Sequence, residues 1–303
     1  MGNNEDQLME TLPLIYKEHL SELDQSVNFE HRMTDHKGML EARYVRRSDD
    51  YFIVYLSSQT GCKQACRMCH LTATGQTDLR DTTIEEYWDQ ADRVLRYYAN
   101  KTPARMVHFN FMARGEPLAN KIFLENADLI LRGLANRAKA LGLEYKFLIS
   151  TIFPKEFDVY ELTDVFKDPA LRPELYYSLY STDRDFRRKW LGKAIEPGIA
   201  LTLLGRWNRS TGKVPKIHYA FIDNENDSLG DVKRCIDLIQ HYNVPVNWNI
   251  VRYNPPNDKS KETIEGQINY LAGYIRSRLP KARVKVIPRV GTDVKASCGT
   301  FLK

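Results

Sequence analysis

The chain has 303 residues, 43% of them hydrophobic and 27% charged, a balance that matches soluble globular proteins and excludes a disordered or fibrous chain. Its 44 Lys and Arg against 39 Asp and Glu leave a net charge of +5, mild for a dedicated nucleic-acid binder and compatible with an anionic substrate. The longest apolar stretches, such as 199–204, fall far short of a bilayer span, and the acidic start Met1-Gly2-Asn3-Asn4-Glu5-Asp6 does not read as a signal peptide, so a cytoplasmic protein with no membrane partner is expected.

By length, one large domain with extensions fits as well as two. In chain order, residues 1–38 read as a short helical N-terminal extension. The helix runs from residue 1 to about 36 and is anchored by Leu8, Leu12, Leu14, Ile15 and Leu20. Residues 39–303 form the core and alternate strand and helix. Phe52, Val54 and Leu56 mark a strand leading into a cysteine-rich loop. Thr82 and Glu85 read as a capping box, and Ile84, Tyr87, Ala91, Leu95 and Tyr98 then recur at helical spacing. A strand at 104–111 carries Val107, Phe109 and Phe111 on one face. Helices near 120–138, from 156, near 197–208, 229–242 and 262–278 alternate with strands at 145–150, 174–180, 215–222, 245–251 and 283–287. Six core strands joined by helices predict an α/β fold, a parallel sheet curved into a partial (β/α)6 barrel.

Five cysteines are too few and too odd in number for a disulfide framework. Cys62, Cys66 and Cys69 form C-x3-C-x2-C, whereas Cys235 and Cys298 stand alone. Three thiolates on one loop suit a cubane iron–sulfur cluster that keeps one iron open; His70 could instead complete a four-ligand zinc site, although no second ligand pair at ribbon spacing is visible. Cys235 shares an apolar helix stripe with Val232, Ile236 and Ile239 and reads as core packing.

In parallel α/β folds the chemistry gathers at the C-terminal strand ends. The polar motifs fall there: the cysteine loop, then Gly115-Glu116-Pro117, Ser150-Thr151, Ser178, Asp223 to Asp227, and Asn254. Ordinary turn chemistry would account for any one of them alone; Asp227 or Ser228 could be a helix cap, and Glu116 a turn acid before proline. Basic clusters at Arg43, Arg46 and Arg47, at Arg184 to Lys189, and at Lys281 to Arg289 fit either a solvated surface or a phosphate track.

Taken together, these motifs resemble the radical S-adenosylmethionine (SAM) superfamily and, within it, the RlmN/Cfr-type rRNA adenine methyltransferases. The cysteine triplet is the superfamily signature, and Ser57-Ser58-Gln59-Thr60-Gly61-Cys62 looks like the lead-in of that group. Matching segments continue in order through Thr74-Gly75, Arg80, Gly115 to Asn120, Ile149-Ser150-Thr151, Ser178-Leu179, Asn226 to Ser228, Asn254-Pro255, and a tail running from Arg289 through Gly291, Asp293 and Ala296 to Cys298-Gly299. The resemblance implies a [4Fe-4S] cluster on Cys62, Cys66 and Cys69 whose open iron binds SAM. It also implies a reducing partner such as flavodoxin or ferredoxin, and an RNA substrate, rRNA or tRNA. It places Gly115 and Glu116 at the SAM amino group, and Ser150, Ser178 and Asn254 at its ribose and carboxylate. Cys298 matches the cysteine that takes a methyl from one SAM and loses hydrogen to the 5′-deoxyadenosyl radical of a second, before its carbon adds to adenine.

Two departures stand out. Seven residues before the first cluster cysteine, where the family has a second catalytic cysteine that ends in a disulfide, this chain has Tyr55; a phenol moves protons but forms no disulfide. The family also carries a longer N-terminal RNA-binding domain, whereas only 38 residues precede the matching region here.

Overall fold

The computed structural model describes residues 16–32 and 38–303. Its frame is one ten-stranded sheet in sequential order: β1 (Tyr16–Leu20), β2 (Val27–Arg32), β3 (Met39–Arg46), β4 (Tyr51–Tyr55), β5 (Met106–Phe111), β6 (Glu144–Thr151), β7 (Glu174–Ser178), β8 (Lys216–Tyr219), β9 (Asn247–Val251) and β10 (Val284–Ile287). Strands β1 to β4 pair antiparallel, and β4 to β10 pair parallel. The helices are α1 (His70–Ala73), α2 (Ile84–Ala99), α3 (Lys121–Ala140), α4 (Leu162–Val165), α5 (Arg184–Trp190), α6 (Pro197–Thr211), α7 (Leu229–His241) and α8 (Glu265–Arg278).

The expected N-terminal helix is overturned where it can be followed. Residues 16–20 and 27–32 are strands, and β2 pairs with β3 across the expected boundary at 38, so this segment extends the sheet. Tyr16, Phe29 and His31 suit a pleated, half-buried surface, and pairing outweighs the helical spacing of a few leucines. Leu8, Leu12, Leu14 and Ile15 lie outside the described residues. A second correction is small: the capping box is Thr83 with Glu86, while the Thr82 hydroxyl donates to the Ser57 carbonyl at 3.1 Å. The helix expected from 156 is a short 3-10 turn (Lys155–Phe157) followed by α4, and β10 falls on the last strand expected, at 283–287, so that β4 to β10 make seven parallel strands where a six-stranded core is expected.

The two faces of the parallel strands differ. Val107, Phe109, Phe111, Tyr177, Ile217 and Trp248 are fully buried in the main core that the helices share. The residues between them in the pleat face the other way, into a lumen of about 680 Å³ walled by β3 to β10 and capped by the tail around Ala296 to Cys298. The curved sheet encloses a space instead of a second apolar layer, as the partial barrel requires. Cys235 is fully buried on α7 beside Val232 and Ile236, as its stripe predicts.

Candidate active site

Each expected motif sits at the C-terminal end of its strand. The cysteine loop follows β4, the Gly115-Glu116-Pro117 turn follows β5, Ser150 and Thr151 close β6, Ser178 closes β7, residues 223–227 follow β8 and Asn254 follows β9. Of these, 226–228 are structural. The buried Asn226 side chain bridges the Ile222 amide and the Tyr180 and Ala220 carbonyls, and Ser228 caps α7 reciprocally with Asp231.

The cysteine loop is built by close backbone approach. A Cβ on Gly61 would lie 2.2 Å from the Asp78 carbonyl oxygen, so only glycine lets 60–62 pass the segment after α1. Gly115, at φ +87°, would place a Cβ 2.6 Å from the Gln59 nitrogen, which locks the second turn onto the first. The Gln59 side chain receives the Glu116 amide at 3.1 Å and donates to Asp81 at 2.8 Å.

The three thiols lie near enough to disfavour one another's ionisation. Burial pushes Cys62 up to about 12 and Cys69 up to about 11, and Cys66 well above the ordinary thiol. Backbone amides counter this: that of Gln64 faces Cys62, and those of Leu71 and Thr72 face Cys69. Amides aimed at half-buried sulfurs suit thiolates held by iron, whose charge deprotonates a coordinating thiol outright. Among the described residues no three His, Cys, Asp or Glu side chains converge on a single ion position, and His70 turns its ring toward the backbone carbonyls of Asn254 and Pro255. Three thiols on one short loop are the donor set that a cubane takes, each thiolate meeting its own iron.

Glu116 is almost wholly buried beside this loop. Its carboxylate accepts from the Leu118 and Ile152 amides, each at 3.1 Å, and no cation among the described residues pairs with it. Burial raises it to about 7 against the hydrogen bonds from Thr151, Ile152 and Leu118. Ser150 Oγ lies 3.2 Å from His218 Nδ1, and burial drops His218 to about 3, so the ring is neutral. Asn254 donates to the Cys298 carbonyl at 2.8 Å and accepts from Arg289 Nε at 2.8 Å.

Cys298 opens into the lumen, which Tyr55 also lines. Burial raises its thiol, and the charges of Arg43 and Arg47 oppose the rise. Its placement is the work of residues that the sequence reading left among basic clusters or ordinary strands. Glu41, with no exposed surface, pairs with Arg43 at 3.0 Å and Arg114 at 2.7 Å, and accepts from Asn28 and the Leu302 amide. Arg43 donates in turn to the Thr300 carbonyl at 2.7 Å, and Phe301 lies beneath both guanidiniums. Farther up the tail, Asp293 takes hydrogen bonds from Ser21 and Glu22, and Gly291 donates to Asp24. The N-terminal strands are thus the seat of the tail.

The other basic clusters divide. Arg187 is buried and holds the carbonyls of Leu179, Ser181 and Ile195, while Arg188 is exposed and pairs with Asp185. The lumen wall was missed as a site. The signal was present in strands that alternate polar with apolar residues, as in His108 and Asn110 or Lys216 and His218, where a parallel sheet covered on both faces would be apolar throughout.

No family model matches the chain. Among curated proteins it is similar to the "Probable dual-specificity RNA methyltransferase RlmN" of Chloroherpeton thalassium, 26% identical over 282 residues, covering 91% of this chain and 72% of that protein. The protein of the same name from Clostridioides difficile is 27% identical over 258 residues, covering 83% and 69%. A solved radical SAM methyltransferase from Sphaerobacter thermophilus shares the fold, with a TM-score of 0.79 at 20% identity over 95% of this chain and 81% of that one. A sequentially ordered parallel barrel with a three-cysteine loop after its first parallel strand gives this chain the fold of that radical SAM methyltransferase. Along its motifs the chain is similar to these curated relatives, which are named RlmN-type RNA methyltransferases.

Proposed function

We propose that the protein is an RNA (adenine) methyltransferase of the radical SAM type, with Cys298 carrying the methyl group to be transferred. The observation that carries this reading is that Cys298, on a tail fixed by buried ion pairs, opens into the barrel lumen at the end where the cysteine loop lies. Cys62, Cys66 and Cys69 would hold a [4Fe-4S] cluster, which with SAM and one electron from a flavodoxin- or ferredoxin-like donor supplies a 5′-deoxyadenosyl radical. Around that chemistry the chain's own groups bind and orient. Glu116 is a desolvated carboxylate without a cation, which an ammonium such as that of SAM would satisfy. Ser150, Ser178 and Asn254 supply polar contacts along the same rim, and Asn254 also fixes the backbone that bears Cys298. Tyr55 stands on the lumen wall as a proton donor or acceptor. The substrate reading rests on the curated relatives, which are named RNA methyltransferases, and on the basic lumen. The described helices include none long and apolar enough to cross a membrane, which accords with a cytoplasmic enzyme.

The deciding experiment is anaerobic reconstitution with iron, sulfide and methyl-labelled SAM, incubation with total RNA, and nucleoside mass spectrometry. Labelled methyladenosine that disappears in Cys298→Ala is the expected result. Formation of 5′-deoxyadenosine with no labelled nucleoside would overturn the reading in favour of hydrogen abstraction from another substrate.

A further inference from the structure

The lumen wall carries nine Lys and Arg side chains against one carboxylate, Glu174. Four of the nine are spent within the protein: Arg43 on Glu41, Lys216 on Glu174, and Arg252 and Arg289 on Glu262. Of the rest, Lys146, Lys213, Arg283 and Lys285 form no salt bridge among the described residues, Lys146 and Lys213 only sharing the field of Glu174, and all sit toward the N-terminal ends of β6, β8 and β10, away from the cysteine loop. Like charges gathered around a concave wall repel one another and focus a positive potential into it. Its effect is visible on His108, which burial and then the charge of Lys146 drive down to about 4. Higher in the same lumen Asn110 is 4% exposed, and its carbonyl oxygen has no hydrogen-bond partner. A buried acceptor left open in this way costs free energy until a donor arrives. Tyr55 and Tyr176 add aromatic surface to the same wall.

Free cations at one end, an open amide acceptor farther up and aromatic rings alongside are the elements of nucleotide recognition, in which carboxamides pair with adenine and cations with phosphate. The volume of about 680 Å³ is ample for one extruded nucleotide. We infer that the target nucleotide of an RNA strand enters through the N-terminal mouth of the barrel. Its base reaches Asn110 below Cys298, and its flanking phosphates rest on Lys146, Lys213, Arg283 and Lys285. This rests on the RNA methyltransferase reading and adds to it the route of entry and the residues that grip the strand.

The test is fluorescence anisotropy of a labelled single-stranded, adenosine-containing RNA on the reconstituted protein, titrated at several salt concentrations. For K146Q/K285Q the slope of log affinity against log salt should fall by about 1.4, since each phosphate contact on a single strand contributes about 0.7. Affinity at low salt should drop at least tenfold. Lys233→Gln, on the exposed face of α7, serves as the control and should leave both values unchanged. Asn110→Ala should erase a preference of about tenfold for adenosine over guanosine at the target position while keeping the salt slope. An unchanged slope in K146Q/K285Q, or adenosine monophosphate binding as tightly as the RNA, would overturn the inference. RNA bound with the expected slope but never methylated would uphold the lumen site and remove the methyl-transfer reading, so the two fail separately.

Discussion

The cysteine loop and the C-terminal tail both bring sulfur to one end of the barrel, but through contacts of very different range. The loop closes mostly on itself, the Cys69 amide donating to the Cys66 carbonyl at 3.0 Å and that of Cys62 to Gln76 at 3.1 Å, while the Arg67 amide reaches farther to the Trp190 carbonyl and the His70 amide to the Gly299 carbonyl, each at 3.1 Å. The tail is held from far away. Asn28, Arg43 and Glu41 grip Val294, Thr300 and Leu302 across separations of 266, 257 and 261 residues. A ligand loop made of neighbours can assemble wherever the first parallel strand forms, whereas the position of Cys298 depends on the whole sheet having closed and on a buried charge network being complete. Damage to one should therefore be separable from damage to the other.

The largest effect is expected from Cys66→Ala, which removes one of the three thiolates proposed to hold the cluster. Iron content after reconstitution should collapse and 5′-deoxyadenosine should not form, while thiol-alkylation kinetics at Cys298 stay near those of the cluster-free wild type. Retained iron and SAM cleavage would break the local half of the comparison.

Glu41→Gln strikes the other half. It leaves two buried guanidiniums without their carboxylate, a loss of about 3–5 kcal/mol for a buried pair, read as a lower midpoint in urea. In the protein that remains folded, Cys298 should alkylate faster while iron loading is kept. Unaltered alkylation would show that Asn254, the His70 amide bonded to the Gly299 carbonyl at 3.1 Å, and the turn at Ser21 to Asp24 hold the tail without Glu41.

Glu116→Gln tests the carboxylate beside the loop. The group titrates near 7 in the folded chain and near 4.3 when unfolded, so between these values the unfolded state has lost a proton that the folded state keeps. Wild-type stability accordingly falls as pH rises through this window, by up to about 3 kcal/mol. Thermal melts of cluster- and SAM-free protein should place the Gln variant above wild type at pH 8 and level with it at pH 4. A variant less stable at pH 8 would mean that the two amide hydrogen bonds outweigh the desolvation.

The smallest effect is kinetic. If Cys298 carries the methyl as proposed, then with Tyr55 where the resembled family has a thiol, wild type should accumulate a covalent RNA adduct, visible as a nuclease-sensitive gel shift, and Tyr55→Cys should clear it several-fold faster. Rapid wild-type turnover without added thiol, with an inactive Tyr55→Cys, would assign the phenol an acid–base role instead.

Much of the site was legible because its parts are short and local. Three cysteines within eight residues, a glycine before a buried acid, and turn residues closing successive strands announce themselves by spacing. Cys298 was legible only by resemblance; nothing in its neighbourhood says that Arg43, 255 positions earlier in the chain, lies close enough to act on its thiol. Gly291 shows the same limit. Its φ of +49° and the 2.7 Å approach that a Cβ would make to Ser26 arise from docking, and the sequence offers only a glycine in a turn.

By itself the sequence determined the alternation of strands and helices, the parallel sheet, the cysteine loop at a strand's C-terminal end and the core role of Cys235, because periodicity and turn chemistry act over a few residues. Tertiary structure alone decided that 16–20 and 27–32 are strands, since pairing of β1 with β2 and of β2 with β3 satisfies their backbone and buries Val27 and Phe29 in a way an isolated helix could not. It also decided which polar residues share the lumen and which carboxylate holds the tail. Those facts depend on the curvature of a sheet and the meeting of distant charges in a space closed to water, where an unpaired charge is too costly to leave and its partner comes from wherever in the chain the fold can bring one.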